Sequence, residues 1–478
     1  MKKALLIGCV ILGTVFQLPA QVRSKGQSLL FQPEENRTRV QAGIQFRDED
    51  DALNRAEGKG LLQGEVRLDS RHSLDSLRRV QGHASYQRGV KRSVYGNTSS
   101  DWDMLAPYIT LDTVGGDLQK EQYRFAARYA ARTKGRFFYS LMADFRALHE
   151  FRQVDPRPRN ITSDLQVSAQ AGFLTGEYAL SLEAAYRKYH QSNDTEFMSP
   201  KGNNTSIIHY LGFGRYTTRF SGAKKSTQVR FHGNGFGLEG KLEPVDGKGW
   251  IAGGRFRWMQ IERNLPGYNE TPISELLNCS LNIYGGKKWQ DAYLTVEADW
   301  ALRRGTENLI DQTSAFNKIG GLNLYRQNNW GVSVQGCKTW NSRWYLLPEL
   351  CYRGFLAQGL YPASEMGWHF AEVAADGGYS RKLGAWHFAW NVHLLSAVGL
   401  GNRLLLADEG MDERLKENIV HYYTRGSGSY GQLGADFQVA RELKGGLSIY
   451  ARPAFAYTHY FAGSHRRTDA CLAIGVNF

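Results

Sequence analysis

The chain closes on Ala470-Cys-Leu472-Ala-Ile474-Gly-Val476-Asn-Phe478, apolar at every second position and aromatic at the last. A period of two puts one greasy face and one mixed face on an extended strand. The same alternation recurs through most of the preceding sequence, in stretches of about 10–15 residues separated by polar, Gly- or Asn-rich breaks. Such stretches satisfy their backbone groups in a membrane only by pairing into a closed ring, with apolar side chains toward lipid and polar ones toward water. The expected fold is therefore all-β, a transmembrane antiparallel β-barrel of about 18 strands within a range of 14–20.

Composition fits once that constraint is in place. Mean hydropathy is −0.45, a value that reads as soluble, but half of every barrel strand is polar and the loops are more so. The 25 Tyr and 11 Trp suit interfacial girdles, and only 12 Pro suits long ladders. Net charge is +13, from 59 basic and 46 acidic residues. The basic residues are scattered along strands rather than gathered on a helix or arm, which excludes a nucleic-acid partner and favours anionic membrane lipid, including lipopolysaccharide. Cys279, Cys337, Cys351 and Cys471 stand singly in different stretches, without metal-site spacing.

The start reads as an export signal. Lys2 and Lys3 precede the apolar run Ala4 to Phe16, and Leu18-Pro19-Ala20 offers a cleavage site before Gln21. Leu6-Ile7-Gly8-Cys9 has the look of a lipoprotein box, but the apolar run continues well past Cys9, which argues against lipidation. The expected organisation is a signal peptide at 1–20, a periplasmic lead-in at 21–37 and an outer-membrane barrel at 38–478. The expected location is the outer membrane, integral, after export to the periplasm.

Along the chain, stretches at Arg39–Phe46, Leu61–Leu68 and Val80–Val90 precede an irregular segment, Tyr95–Lys120. From Gln122 the pattern is cleaner, and strands are expected through to the end, including separate ones at 206–217, 316–326 and 329–340. Short turns belong on the periplasmic side and long loops outside. Assigning sides from either end puts 148–161, 190–205, 357–366, 400–426 and 459–467 outside, but the two countings clash between 217 and 343. The longest insertion, Gly401–Gly426, reads as a solvated loop rather than a helix over the mouth, because few apolar positions align.

With the greasy face outward, the interior holds Arg124, Arg128, Arg132, Asp144, Arg146, Glu183, Arg187, Arg255, Arg257, Glu297, Asp299, Arg303, Glu349 and Arg353. Both signs are present, so the lumen is expected to cross-link itself, whereas a selective pore presents one sign at its constriction. Asp155-Pro-Arg157-Pro-Arg159-Asn is a candidate anion-binding loop, its prolines stiffening the chain around Arg157 and Arg159. The plainer reading pairs it with carboxylates near 112–121.

No metal, cofactor or catalytic residue is expected. His387 and His393 share a strand face but are about 20 Å apart by strand rise. The acidic run 48–51 reads as solvated, and Gly233-Asn-Gly235-Phe-Gly237 as a flexible strand entry rather than a phosphate loop. No Gly-x-Ser-x-Gly occurs.

Pro107-Tyr-Ile-Thr-Leu-Asp-Thr-Val-Gly-Gly-Asp117, Arg146-Ala-Leu-His-Glu-Phe-Arg152, Asp155-Pro-Arg-Pro-Arg-Asn160 and Tyr186-Arg-Lys-Tyr-His-Gln-Ser-Asn-Asp194 resemble an uncharacterised family of full-length outer-membrane β-barrels from Bacteroidota. The resemblance implies location and architecture and carries no activity. The expectation is a non-enzymatic barrel serving transport across the outer membrane, as a pore or an accessory to an uptake system. The alternatives are a scaffold in a secretion or surface-lipoprotein assembly and, behind it, a lipid-modifying enzyme. Expected partners are membrane lipid, proteins of such a system, and the barrel-assembly machinery through the strand ending at Phe478.

Overall fold

The computed structural model describes residue 30 and residues 36–198, 207–218, 226–266, 270–311, 316–407 and 411–478. The expected signal peptide lies outside the described residues, as does most of the lead-in. In chain order come β1 (Arg37–Glu49), β2 (Gly60–Ser73), β3 (Arg78–Val94), the short helix α1 (Trp102–Leu105), β4 (Thr110–Asp112) and β5 (Gly116–Arg132). Then follow β6 (Phe137–Phe151), β7 (Arg157–Thr175), β8 (Tyr178–Glu196), β9 (Ile207–Gly212), β10 (Arg215–Thr217), β11 (Ser226–Pro244) and β12 (Gly249–Asn264). The next are β13 (Pro272–Lys288), β14 (Ala292–Ile310), β15 (Lys318–Trp340), β16 (Trp344–Leu360), β17 (Ala363–Leu383) and β18 (Trp386–Leu405). Helix α2 (Glu413–Ser427), β19 (Tyr430–Glu442), β20 (Ser448–Tyr460) and β21 (His465–Asn477) complete the chain.

Eighteen of these strands form one antiparallel sheet, and pairing of β1 with β21 (Val40 opposite Val476) closes it. Closure leaves no edge, so each wall strand bonds on both sides. The remaining three, β4, β9 and β10, make a small separate sheet.

Two expectations about the wall are corrected, and together they resolve the clash in sidedness. The stretch 206–217 is not a wall strand: β9 pairs with β4, and β10 with β9. Segments 316–326 and 329–340 are one continuous strand, the 23-residue β15. Asn328-Asn329 resembles a turn, yet both residues stay in register with β14 and β16. With these changes the short connections (74–77, 133–136, 176–177, 245–248, 289–291, 341–343, 384–385 and 443–447) fall on the rim that also carries Phe478.

The outer surface carries the greasy face. Phe125, Leu141, Leu182, Phe236, Val296 and Leu350 are each at least 50% exposed or close to it, while their chain neighbours point inward. Aromatic side chains gather at two levels of this belt. Trp344, Tyr379 and Trp390 cluster beside the short turns, with ring centroids 4.5–6.4 Å apart. Nearer the other rim, Tyr186, Phe236 and Trp258 form a row at 5.4 and 6.0 Å. Two such levels flanking an apolar band are the girdles of a membrane barrel. Among the described residues no helix is long and apolar enough to cross a membrane.

Candidate functional site

The buried apolar core lies inside the outer mouth. Segment 95–115 folds into the barrel there, bringing α1 and β4, and the β9–β10 hairpin joins it. Met104, Leu105, Tyr108, Ile109, Leu111 and Ile208 pack against inward wall residues such as Phe231, Ile261 and Leu276. A barrel this wide would otherwise enclose a channel; here the protein's own loops cap it.

Polar side chains of the wall hold the cap at fixed points. Arg146 donates to both carboxylate oxygens of Asp101 at 2.9 and 2.5 Å, and the Tyr189 hydroxyl adds a bond at 3.1 Å. Burial opposes ionisation of Asp101, but the Arg146 guanidinium and the two hydrogen-bond donors win and hold its carboxyl below the usual carboxylate range. Arg303 donates to the carbonyls of Ala106 (2.8 Å) and Asp103 (2.6 Å). Asn160 and Asn193 both donate to Thr98 O. Arg152 and Asp112, both almost fully buried, pair at 2.6 Å.

The expected solvated loop at 401–426 is corrected: β18 runs on to Leu405 and α2 follows. Asp412 caps the helix, accepting from the amides of Arg414 and Leu415. Leu415, Ile419, Tyr422 and Tyr423 share the face turned into the mouth, so the tyrosines supply the apolar positions the sequence reading left out. Tyr422 meets Trp102 and Trp368 at ring distances of 6.2 and 6.0 Å. The helix also fastens to the β1–β2 loop. His421 Nε2 lies 2.7 Å from Ala52 O, Arg425 donates to Asp51 O at 2.5 Å, and Arg55 donates to Asn418 at 3.0 Å. Burial pulls the His421 imidazole below its ordinary pKa.

In the acidic run 48–51, Asp48 and Asp50 are exposed, as expected of a solvated loop, while Glu49 is buried. Asp50 pairs with Arg466, and Glu49 approaches Arg467. Among the described residues no group of three metal-ligating side chains occurs.

Below the cap, charged side chains line the lumen. Arg124 pairs with Asp144 at 2.6 Å, Arg128 with Glu183 at 3.5 Å, Arg187 with Asp164 at 2.6 Å and Arg353 with Glu372 at 3.1 Å. Glu239 takes both Arg255 and Lys241. Glu297 accepts from Asn282 and Glu349 from Gln335, while Asp299 borders the same chamber as Glu297. Arg132 is exposed at the short-turn end of β5. Arg257 has no hydrogen bond or ion pair among the described residues. The partners Asp164, Glu239 and Glu372 stand at inward positions of expected strands, so alternation alone was enough to find them. Asp101 belongs to the irregular segment and left no such signal.

Arg157 and Arg159 sit elsewhere. They open β7 rather than lying in a loop, and they share the outward alternation of Ile161 and Leu165. Arg157 bonds to Asp155 at 2.8 Å, and it is Arg152 that takes Asp112. Gly233, Gly235 and Gly237 lie within β11, not at a strand entry. They face inward, and a Cβ on Gly233 would stand 2.6 Å from the Met259 methyl. Bare backbone there leaves room for larger neighbours.

Four cavities remain among the described residues, one of them a charged pocket of about 480 Å³ beside α1, lined by Lys91, Asp101, Arg146 and Glu150. Of the other three, the upper one, about 370 Å³, lies between the cap and the wall formed by β12–β16. A second of about 430 Å³ lies on the lumen side of it, and a third of about 200 Å³ opens beside β8 and β11.

Residues 27–478 match a family described as of unknown function, DUF6850. No curated protein matches the chain in sequence. Among solved structures the chain is similar to the siderophore receptor PiuA from Acinetobacter baumannii, with 9% identity and a TM-score of 0.46 over 93% of this chain and 82% of that one. It is also similar to the ferric yersiniabactin uptake receptor FyuA from Yersinia pestis, with 10% identity and a TM-score of 0.44 over 94% of this chain and 80% of that one.

Proposed function

We propose, for a chain that belongs to the family of unknown function DUF6850, a non-enzymatic role in moving solutes across the outer membrane through a lumen whose outer mouth is shut by the protein's own loops. The observation that carries this is the division of the lumen into two regions. The mouth is filled by an apolar core held at a few polar points. Toward the short-turn rim the lumen is charged and open enough that Arg124 and Arg132 remain exposed. Closure by a discrete set of contacts is what a gate requires, because a packed element has two arrangements rather than a continuum.

The same reading places the barrel in the outer membrane with the short turns toward the periplasm. Lipopolysaccharide meets its outer belt, and the assembly machinery receives it through the strand ending at Phe478. A partner protein that releases the cap in an uptake system belongs to this reading too.

Planar-bilayer conductance tests it. The full barrel is expected to be silent or to flicker. A variant in which residues 406–429 are replaced by a short Gly-Ser linker is expected to conduct steadily. A folded deletion variant that stays silent defeats the proposal and favours a scaffold.

A further inference from the structure

One lumen guanidinium without a hydrogen bond or ion pair among the described residues stands where three of the four cavities meet. Arg257 borders the upper cavity, the chamber on its lumen side and the side cavity. Around it the wall cations have carboxylate partners: Arg255 and Lys241 share Glu239, Arg187 pairs with Asp164 and Arg128 with Glu183. Its neighbours across the ladder are small, Gly237 on β11 and Ser280 on β13. Next to Gly237 comes Ala185 on β8. The glycine-rich stretch of β11 thus hollows the wall beside this one cation, leaving its fork of donors uncovered.

The upper cavity beyond it has an apolar and aromatic lining, including Trp102, Met259, Tyr325, Phe355 and Tyr422. Asp103 is the one carboxylate among the described residues that line it, and its Oδ1 is covered. In the lumen-side chamber, Glu297 and Asp299 stand on β14, two strands from Arg257. The other guanidiniums that line the upper cavity are held: Arg187 by Asp164, Arg303 by Asn278 and the Ala106 and Asp103 carbonyls, and Arg55 by Asn418 and Glu417. A mostly apolar cavity within the ~300–1,000 Å³ of small-molecule sites, with one guanidinium left unpaired, binds a molecule that is greasy at one end and anionic at the other.

We infer that Arg257 is the docking point for the carboxylate, phosphate or sulfonate of a small amphipathic organic anion, whose apolar body fills the upper cavity beneath α1 and α2. The assignment rests on the lumen being a solute path. A guanidinium offers a bidentate fork to such a group, and a lysine in its place offers a single point charge.

Calorimetric titration of the detergent-solubilised full chain with 2-naphthoate, and with its neutral analogue 2-naphthalenemethanol, tests the site. The unaltered protein is expected to bind naphthoate saturably. Arg257→Ala lowers that affinity tenfold or more, Arg257→Lys keeps part of it, and neither changes affinity for the alcohol. Arg132→Ala, which removes another exposed lumen guanidinium, leaves naphthoate binding unchanged. Equal naphthoate affinity in Arg257→Ala, an equal loss for the alcohol, or no saturable binding by the unaltered protein overturns the assignment. Release of naphthoate from proteoliposomes containing the linker variant separates the two readings. Binding that depends on Arg257 without any release supports the site and removes the conduit. Release with binding indifferent to Arg257 removes the site and keeps the conduit.

Discussion

Helix α2 is the part of the cap whose loss can be sized from its contacts. Leu415 and Ile419 are each about nine-tenths buried, in different apolar clusters on either side of the mouth. Replacing both by alanine, in Leu415→Ala/Ile419→Ala, removes branched side chains whose truncation in a core costs ~2–5 kcal/mol each. The lower end applies at a cap edge, so the pair weakens docking by about 4 kcal/mol. At 1.4 kcal/mol per tenfold, the undocked fraction rises by about 10³. Single-channel recording reads this directly as open probability, while heat-modifiable mobility on gels confirms that the barrel itself is intact. Alanine keeps helix propensity, so the effect is on docking and not on the helix. An open probability within tenfold of the unaltered protein refutes the reasoning, since the helix would then hold no gate.

Three further outcomes follow from the same geometry. Val296→Arg places a charge on the exposed outer face of β14 and is expected to cost about 2–4 kcal/mol in urea-dependent folding into vesicles, whereas Ala301→Arg on the inward face is tolerated by the membrane. Arg152→Met strands the buried Asp112 carboxylate; protease sensitivity of segment 95–115 should rise by the equivalent of about 3–5 kcal/mol, and Asp112→Asn in the same chain should restore most of the protection. Acid should loosen the cap through His421, which faces Asp51, Arg55 and Arg425. Its docked pKa lies below the ordinary value, so docking is at full strength above about pH 6.5 and weakens as pH falls through the docked value. Conductance is expected to rise under mild acid, and His421→Gln should flatten that rise.

The wall was legible because lipid and water impose a single period on every strand that separates them. It was misread where that period served another purpose. In β9 the alternating Ile207, His209 and Leu211 answer to a three-stranded sheet within the mouth, where no lipid is involved. In β15, Asn328-Asn329 has turn chemistry, but pairing on both sides outweighs it. The cap was less legible still. Its residues come from 50–59, 95–115, 207–217 and 411–429, brought together only by closure of the ring. Alternation placed Arg257 inside; nothing local to it could show that its neighbours' charges are answered and its own is not.

The wall strands differ in length, from 13 residues in β1, β19, β20 and β21 to 23 in β15, 21 in β17 and 20 in β18. Trp340 and Trp344 sit right at the 341–343 turn, so the surplus of β15 is at the far end. Ten more residues at about 3.3 Å each, tilted by roughly 40°, raise that flank by about 25 Å. The rim is therefore uneven: a parapet over β15 to β18 steps down directly to a low sill over β19, β20, β21 and β1. A body resting on this rim would touch the tall flank before it reached the low one.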